Sequence, residues 1–117
     1  MSTRLEELSL AQLAEVNNYF AKNFVELTKE VKRFPDKETA IARVQESLTA
    51  SGQSVIFVKE KEYKKRGVAK DRFVLYRDGM VSGEFVDQCV AAGHPRNDAM
   101  RDLRYDSKRG LIELVGV

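Results

Sequence analysis

The stretch Ser82-Gly83-Glu84-Phe85-Val86-Asp87-Gln88-Cys89-Val90-Ala91-Ala92-Gly93-His94-Pro95-Arg96-Asn97-Asp98-Ala99-Met100-Arg101-Asp102-Leu103-Arg104-Tyr105-Asp106-Ser107-Lys108-Arg109-Gly110 decides the fold class. Ser82 is a natural N-cap, because its hydroxyl can accept from the free N–H groups of a first helical turn. Phe85, Val86, Cys89 and Val90 follow at helical spacing, and Gly93 suits the left-handed position that closes a helix. Only Gly93-His94-Pro95 separates this helix from the next. Proline is favoured in a first turn, so the second helix starts near Pro95 or Arg96 and turns Ala99, Met100 and Leu103 inward. Two helices joined by a short glycine-containing turn make a helix-turn-helix. Phe85, Val86, Cys89, Val90, Met100, Leu103 and Ile112 are its expected shared core.

The second helix also sorts its charges. At about 100° per residue, Asn97, Arg101, Arg104 and Lys108 fall near roughly 0°, 40°, 340° and 20°, one narrow basic stripe. Asp98, Asp102 and Asp106 form a separate acidic stripe between about 100° and 180°. Like charges at i,i+4 cost a helix about 0.2 to 0.5 kcal/mol per pair, so the sorting carries a small penalty. A helix lying along a major groove needs such a basic stripe, with Arg gripping guanine and Asn gripping adenine. The acidic stripe must then point away from DNA, or the surface binds protein instead.

Upstream, Leu10, Leu13, Val16, Asn17, Phe20, Phe24 and Leu27 recur at threes and fours after Ser9, a second natural N-cap. Phe34-Pro35-Asp36 breaks the chain, and Ala40, Ile41, Val44 and Leu48 mark a helix ending at Gly52. The pattern then changes. Val55-Ile56-Phe57-Val58, Phe73-Val74-Leu75-Tyr76 and Leu111-Ile112-Glu113-Leu114-Val115 read as strands, the last able to pair with Phe73–Tyr76. Lys59 to Asp71 is a charged hairpin loop or arm in which Tyr63, Lys64, Lys65 and Arg66 stand together, suited to gripping phosphates or to protecting a strand edge. Asp78-Gly79 signals a turn. The expected class is α+β: an N-terminal helical region, 1–52, followed by a winged helix-turn-helix-like region with a small antiparallel sheet, 53–117.

Composition narrows the function. The chain has 117 residues, 43% apolar and 32% charged, which suits one compact domain or two small halves and excludes wholesale disorder. Net charge is +2, but residues 1–52 carry seven Lys/Arg against eight Asp/Glu and residues 53–117 thirteen against ten, so positive potential sits in the second half. No apolar run is long enough to span a membrane, and the residues after Met1 lack the apolar stretch of a secretory signal. A cytoplasmic protein is expected. One cysteine and one histidine supply no zinc set, so no metal and no cofactor is expected. Cys89 reads as a core residue and His94 as a turn residue, and no phosphate loop, dinucleotide glycine pattern or metalloprotease motif occurs, so catalysis is not expected.

Gly79-Met80, Gly93, Ala99, Asp102-Leu103, Tyr105-Asp106 and Lys108-Arg109-Gly110-Leu111-Ile112, with Lys32-Arg33-Phe34, Asp36, Thr39-Ala40 and Arg43 upstream, resemble a pattern in small proteins encoded by bacteriophages and prophages. Some of those proteins resemble winged-helix modules. The resemblance implies an accessory role in a bacterial host cell and brings no catalytic residue with it. The expected function is DNA binding, with double-stranded DNA as partner and Asn97, Arg101, Arg104, Lys108, Arg109, Lys64, Lys65 and Arg66 as contact residues. The alternative is a protein-directed inhibitor or adaptor acting on host polymerase, nuclease or defence machinery.

Overall fold

Local capping rules set the first helices. In the computed structural model, which describes residues 4–60 and 65–116, Ser9 accepts from the Gln12 N–H at 3.1 Å while the Gln12 side chain accepts from the Ser9 N–H at 2.9 Å. That reciprocal box starts α1, Leu10–Asn23. Asp36 accepts from the Thr39 N–H at 2.7 Å and starts α2, Lys37–Ser51, which closes on Gly52 at φ 72°. The remaining elements are β1 (Val55–Val58), α3 (Val68–Phe73), α4 (Ser82–Ala91), α5 (Arg96–Lys108) and β2 (Ile112–Val115), with a short 3-10 helix at Arg4–Glu7. The described residues thus form an α+β fold of five α-helices and one two-stranded antiparallel sheet, helical first and then helix with sheet.

The chain divides into two compact units, Met1–Val55 with Val115–Val117, and Ile56–Leu114. In the first, Leu5, Leu8, Leu13, Val16 and Phe20 are buried with Ala40, Val44 and Leu48. Leu10 and Leu27, expected on the same apolar face, are 39% and 37% exposed. Leu10 is the first residue of α1, and Leu27 lies past its end, where helical spacing no longer sets direction. The irregular segment after α1 is tied down by α1's own amides. Buried Asn17 accepts from the Thr28 hydroxyl at 2.9 Å and donates to the Lys29 carbonyl at 2.9 Å. Asn18 donates to the Val31 carbonyl at 2.8 Å and accepts from the Val31 N–H at 2.9 Å.

The second unit is built around β1. One edge pairs with β2, and the ladder continues as the Lys59 N–H donates to the Leu111 carbonyl at 2.9 Å. The other edge meets the Asp78-Gly79 turn: the Ile56 N–H donates to Met80, the Gly79 N–H donates to Ile56, both at 2.8 Å, and the Asp78 carboxylate accepts from the Val58 N–H at 2.6 Å. Phe73–Tyr76 is not a strand. It carries the end of α3 into further turns, with the Leu75 N–H donating to Arg72 and the Tyr76 N–H to Phe73. Phe73 and Tyr76 are buried, whereas Val74 is 65% exposed. That is helical i,i+3 spacing, which a four-residue apolar run cannot distinguish from a strand. The partner of β2 is therefore β1, and the Lys59–Asp71 segment is not a simple charged hairpin: Lys59 and Glu60 extend β1's pairing, and the segment ends inside α3.

Ser82 is the first residue of α4 rather than its cap, since Val81 holds the N-cap position without a side-chain bond. At the other end Gly93 takes φ 94°, letting its N–H reach the Val90 carbonyl at 3.0 Å and the His94 N–H reach Cys89 at 2.9 Å. This paired closure reverses the chain tightly, and Pro95 caps α5 directly after it. Phe85, Val86, Cys89, Leu103 and Ile112 pack with Ile56, Phe73, Tyr76 and Met80 in one cluster. Val90 and Met100 do not join them, being 45% and 44% exposed. The buried face of α5 is instead Ala99, Asp102, Leu103 and Asp106. Relative to the expected face it is rotated by roughly 60°, which turns Met100 outward.

Candidate nucleic-acid interface

The reason for that rotation is electrostatic. Asp106 is fully buried, with its carboxylate accepting from the Lys65 ammonium at 2.6 Å and from the Tyr76 hydroxyl at 2.8 Å. One turn earlier, Asp102 accepts from Arg72 Nε at 2.5 Å, and Arg72 is itself 7% exposed. Asp98 lies 3.9 Å from Arg72 and takes a 2.6 Å bond from Arg101. Asp102 and Asp106 therefore face the interior of their unit, while Asp98 stays partly exposed. The two buried charges are matched by two cations from the segment before α4. Buried charges are tolerated only when paired and hydrogen-bonded in this way.

Turning the acids in leaves a basic outward face. Asn97, Arg101, Arg104, Lys108 and Arg109 are all exposed, as the spacing predicts. Arg101 spends part of its charge on Asp98, while Arg104 and Lys108 have no side-chain partner among the described residues. Tyr105, half exposed, lies beside the stripe. Its hydroxyl accepts from Arg109 at 2.6 Å, and the Arg109 guanidinium stands 5.3 Å from its ring centre. The Lys65 ammonium is 5.7 Å from the same ring and 5.3 Å from that of Phe73.

The structure separates the expected contact residues. Lys65 is held in an interior ion pair, with only 9% of its side chain exposed, apart from the exposed stripe of α5. The long, flexible alkyl stem lets its charge reach Asp106 beside the Phe73 and Tyr105 rings, whose faces favour a cation. Arg66 is exposed, and Lys64 lies outside the described residues. Arg72, Tyr76 and Tyr105 are the participants that the sequence reading missed. Asp102, which has no base three or four residues away on the helix, was the available signal that a cation from elsewhere must approach that face.

Titration follows from the same burial. Removal from water, then the bond to Asp106, raises the Tyr76 hydroxyl well above its usual range. Burial pushes the Cys89 thiol up from 9.0 to about 11. Hydrogen bonding to Asp102 raises Arg72 against the opposing effect of burial. In the unfolded chain Cys89 ionises near its ordinary value, so the stability carried by its neutral native form is full below about pH 9 and lost as pH rises through about 11. Denaturant midpoints measured across that window should fall with pH, and a Cys89→Ser variant should show a shallower fall. A flat profile would contradict the assignment. Among the described residues, no group of three His, Cys, Asp or Glu side chains is placed to hold a metal ion, and no helix is long and apolar enough to cross a membrane.

Compared with family models, curated proteins and solved structures, the chain matches none.

Proposed function

We propose that the chain is a phage-type accessory DNA-binding protein, working in the cytoplasm of a bacterial host, that lays α5 into the major groove of double-stranded DNA. The observation that carries this reading is the inward pairing of Asp102 and Asp106 with Arg72 and Lys65. It removes the acids from the surface that would face phosphates and leaves Asn97, Arg101, Arg104 and Lys108 on one exposed stripe. The tight closure at Gly93 presents α5 directly after α4, as a helix-turn-helix requires. In this reading Arg101 or Arg104 grips guanine, Asn97 grips adenine, Lys108 meets phosphate, and no cofactor takes part.

Fluorescence anisotropy with labelled duplexes tests it. Arg104→Ala should weaken binding by about 1 to 3 kcal/mol and relax preference at one base position. Lys108→Ala should weaken all sequences alike and reduce the salt dependence. A second reading, a protein-directed inhibitor or adaptor of host machinery, draws on Met100 and Tyr105, exposed at 44% and 50% beside the arginines. Methionine, aromatics and arginine are the residues enriched at protein interfaces. Should Arg104→Glu leave duplex affinity unchanged while abolishing recovery of a host protein from lysate, the DNA reading gives way to this one.

A further inference from the structure

We propose that the outer face of α2 is a docking groove for α5 of a second copy of this chain. While Ala40, Val44 and Leu48 turn inward, the opposite side of α2 borders an open groove of about 1010 Å³. Ile41, Ala42, Thr49 and Ala50 line it together with Glu38 and Glu46, and Glu6 contributes a third acid. None of the three acids has an ionic partner among the described residues. The one lysine of the groove, Lys37, donates its ammonium to the Glu6 backbone carbonyl at 2.6 Å. The groove is therefore acidic over an apolar floor. An acid in the first turn complements the helix dipole and surface alanines favour a helix, so Glu38, Ala42 and Ala50 have structural reasons to be there. Those reasons do not extend to the match with α5.

The exposed stripe of α5, Asn97, Arg101, Arg104 and Lys108, steps by four, three and four residues. Glu38, Ala42, Gln45 and Thr49 step identically along α2. Helices mesh along seams of that spacing. Laid antiparallel, the two seams set Lys108 on Glu38, Arg104 across Ala42, Arg101 beside Gln45 and Glu46, and Asn97 on Thr49. Ala42 is small enough for the Arg104 stem to cross, with Glu38 and Glu46 one turn to either side. Gln45 donates its amide to the Gly116 carbonyl at 2.8 Å, which leaves its side-chain oxygen to accept from Arg101. At about 100° per residue, half-exposed Met100 falls on the flank that carries Ile41. Laid parallel, the same seams would set Lys108 against Thr49 and Asn97 against Glu38, matching fewer charges. The acidic excess of residues 1–52 and the basic excess of residues 53–117 act in the same direction. The seam is short and exposed, so the contact is weak and falls with salt. It uses the face of α5 assigned above to a duplex, without resting on that assignment.

Sedimentation velocity of the full chain, across a concentration series at low and high salt, reads the contact. The unaltered chain should gain mass with concentration at low salt and lose that gain at high salt. Glu38→Lys with Glu46→Lys, and separately Arg104→Glu with Lys108→Glu, should each weaken self-association roughly ten-fold or more, because like charges then meet on the seam. An equimolar mixture of the two double variants should recover association, since the first keeps a native α5 and the second a native groove. Loss of folding could not be repaired by mixing two damaged chains. The proposal fails if the unaltered chain stays monomeric throughout the low-salt series, if either double variant associates like wild type, or if the mixture remains as dissociated as its components.

Discussion

Asp106→Ala is expected to destabilise the Ile56–Leu114 unit by about 3 to 5 kcal/mol, among the largest effects of any single substitution in the protein. The lost carboxylate leaves the Lys65 ammonium in the interior without its counter-charge and the Tyr76 hydroxyl without its acceptor. The wild-type pair itself contributes far less than this figure, because forming it first strips water from two charges. Replacing the set together, as Lys65→Met, Tyr76→Phe and Asp106→Leu, should therefore restore most of the loss. Urea denaturation of the single and triple variants decides the matter. A single variant within about 1 kcal/mol of wild type would mean that water reaches Lys65 and the ion pair is not interior.

Phe85→Ala should cost about 3 to 5 kcal/mol by the same measurement. The Phe85 ring is fully buried and stacked on Tyr76 with centroids 4.2 Å apart and planes 13° from parallel. Removing it opens a cavity beneath the ring that holds the Asp106 bond. Phe85→Ala and Asp106→Ala should consequently not be additive, since each loosens Tyr76. A double variant whose loss equals the sum of the two singles, within experimental error, would show that Tyr76 keeps its place without Phe85.

Elements governed by short-range chemistry were legible in the chain alone. Ser9, Asp36, Gly52 and Gly93 mark helix ends through bonds to residues three to five positions away, which a sequence displays directly. The exposed stripe of α5 was legible for the same reason, because its spacing is a property of one helix. What was not legible depends on partners distant in sequence. The rotation of α5, which exposes Met100 and buries Asp102, is set by Arg72, thirty residues before Asp102, and by Lys65, forty-one before Asp106. Hydrophobicity ranks Met100 above Asp102 for burial, and only a paired cation reverses that order. Phe73–Tyr76 failed differently: four apolar residues fit either period, and the tie is broken by which of them meets Phe85.

The side-chain amides of Asn17 and Asn18 give the segment after α1 an unusual character. Lys29, Lys32 and Arg33 lie exposed in a stretch without helix or strand, the profile of a trypsin-sensitive loop. Yet a protease needs the backbone on either side of the scissile bond drawn out and free, and here Thr28, Lys29 and Val31 are fastened to the interior of α1. Cleavage at these sites must wait for α1 itself to come away, so digestion should report the opening of the surrounding helices rather than local fraying. The amide of Val31, outside any regular element, should likewise exchange its hydrogen at a rate characteristic of a helix core.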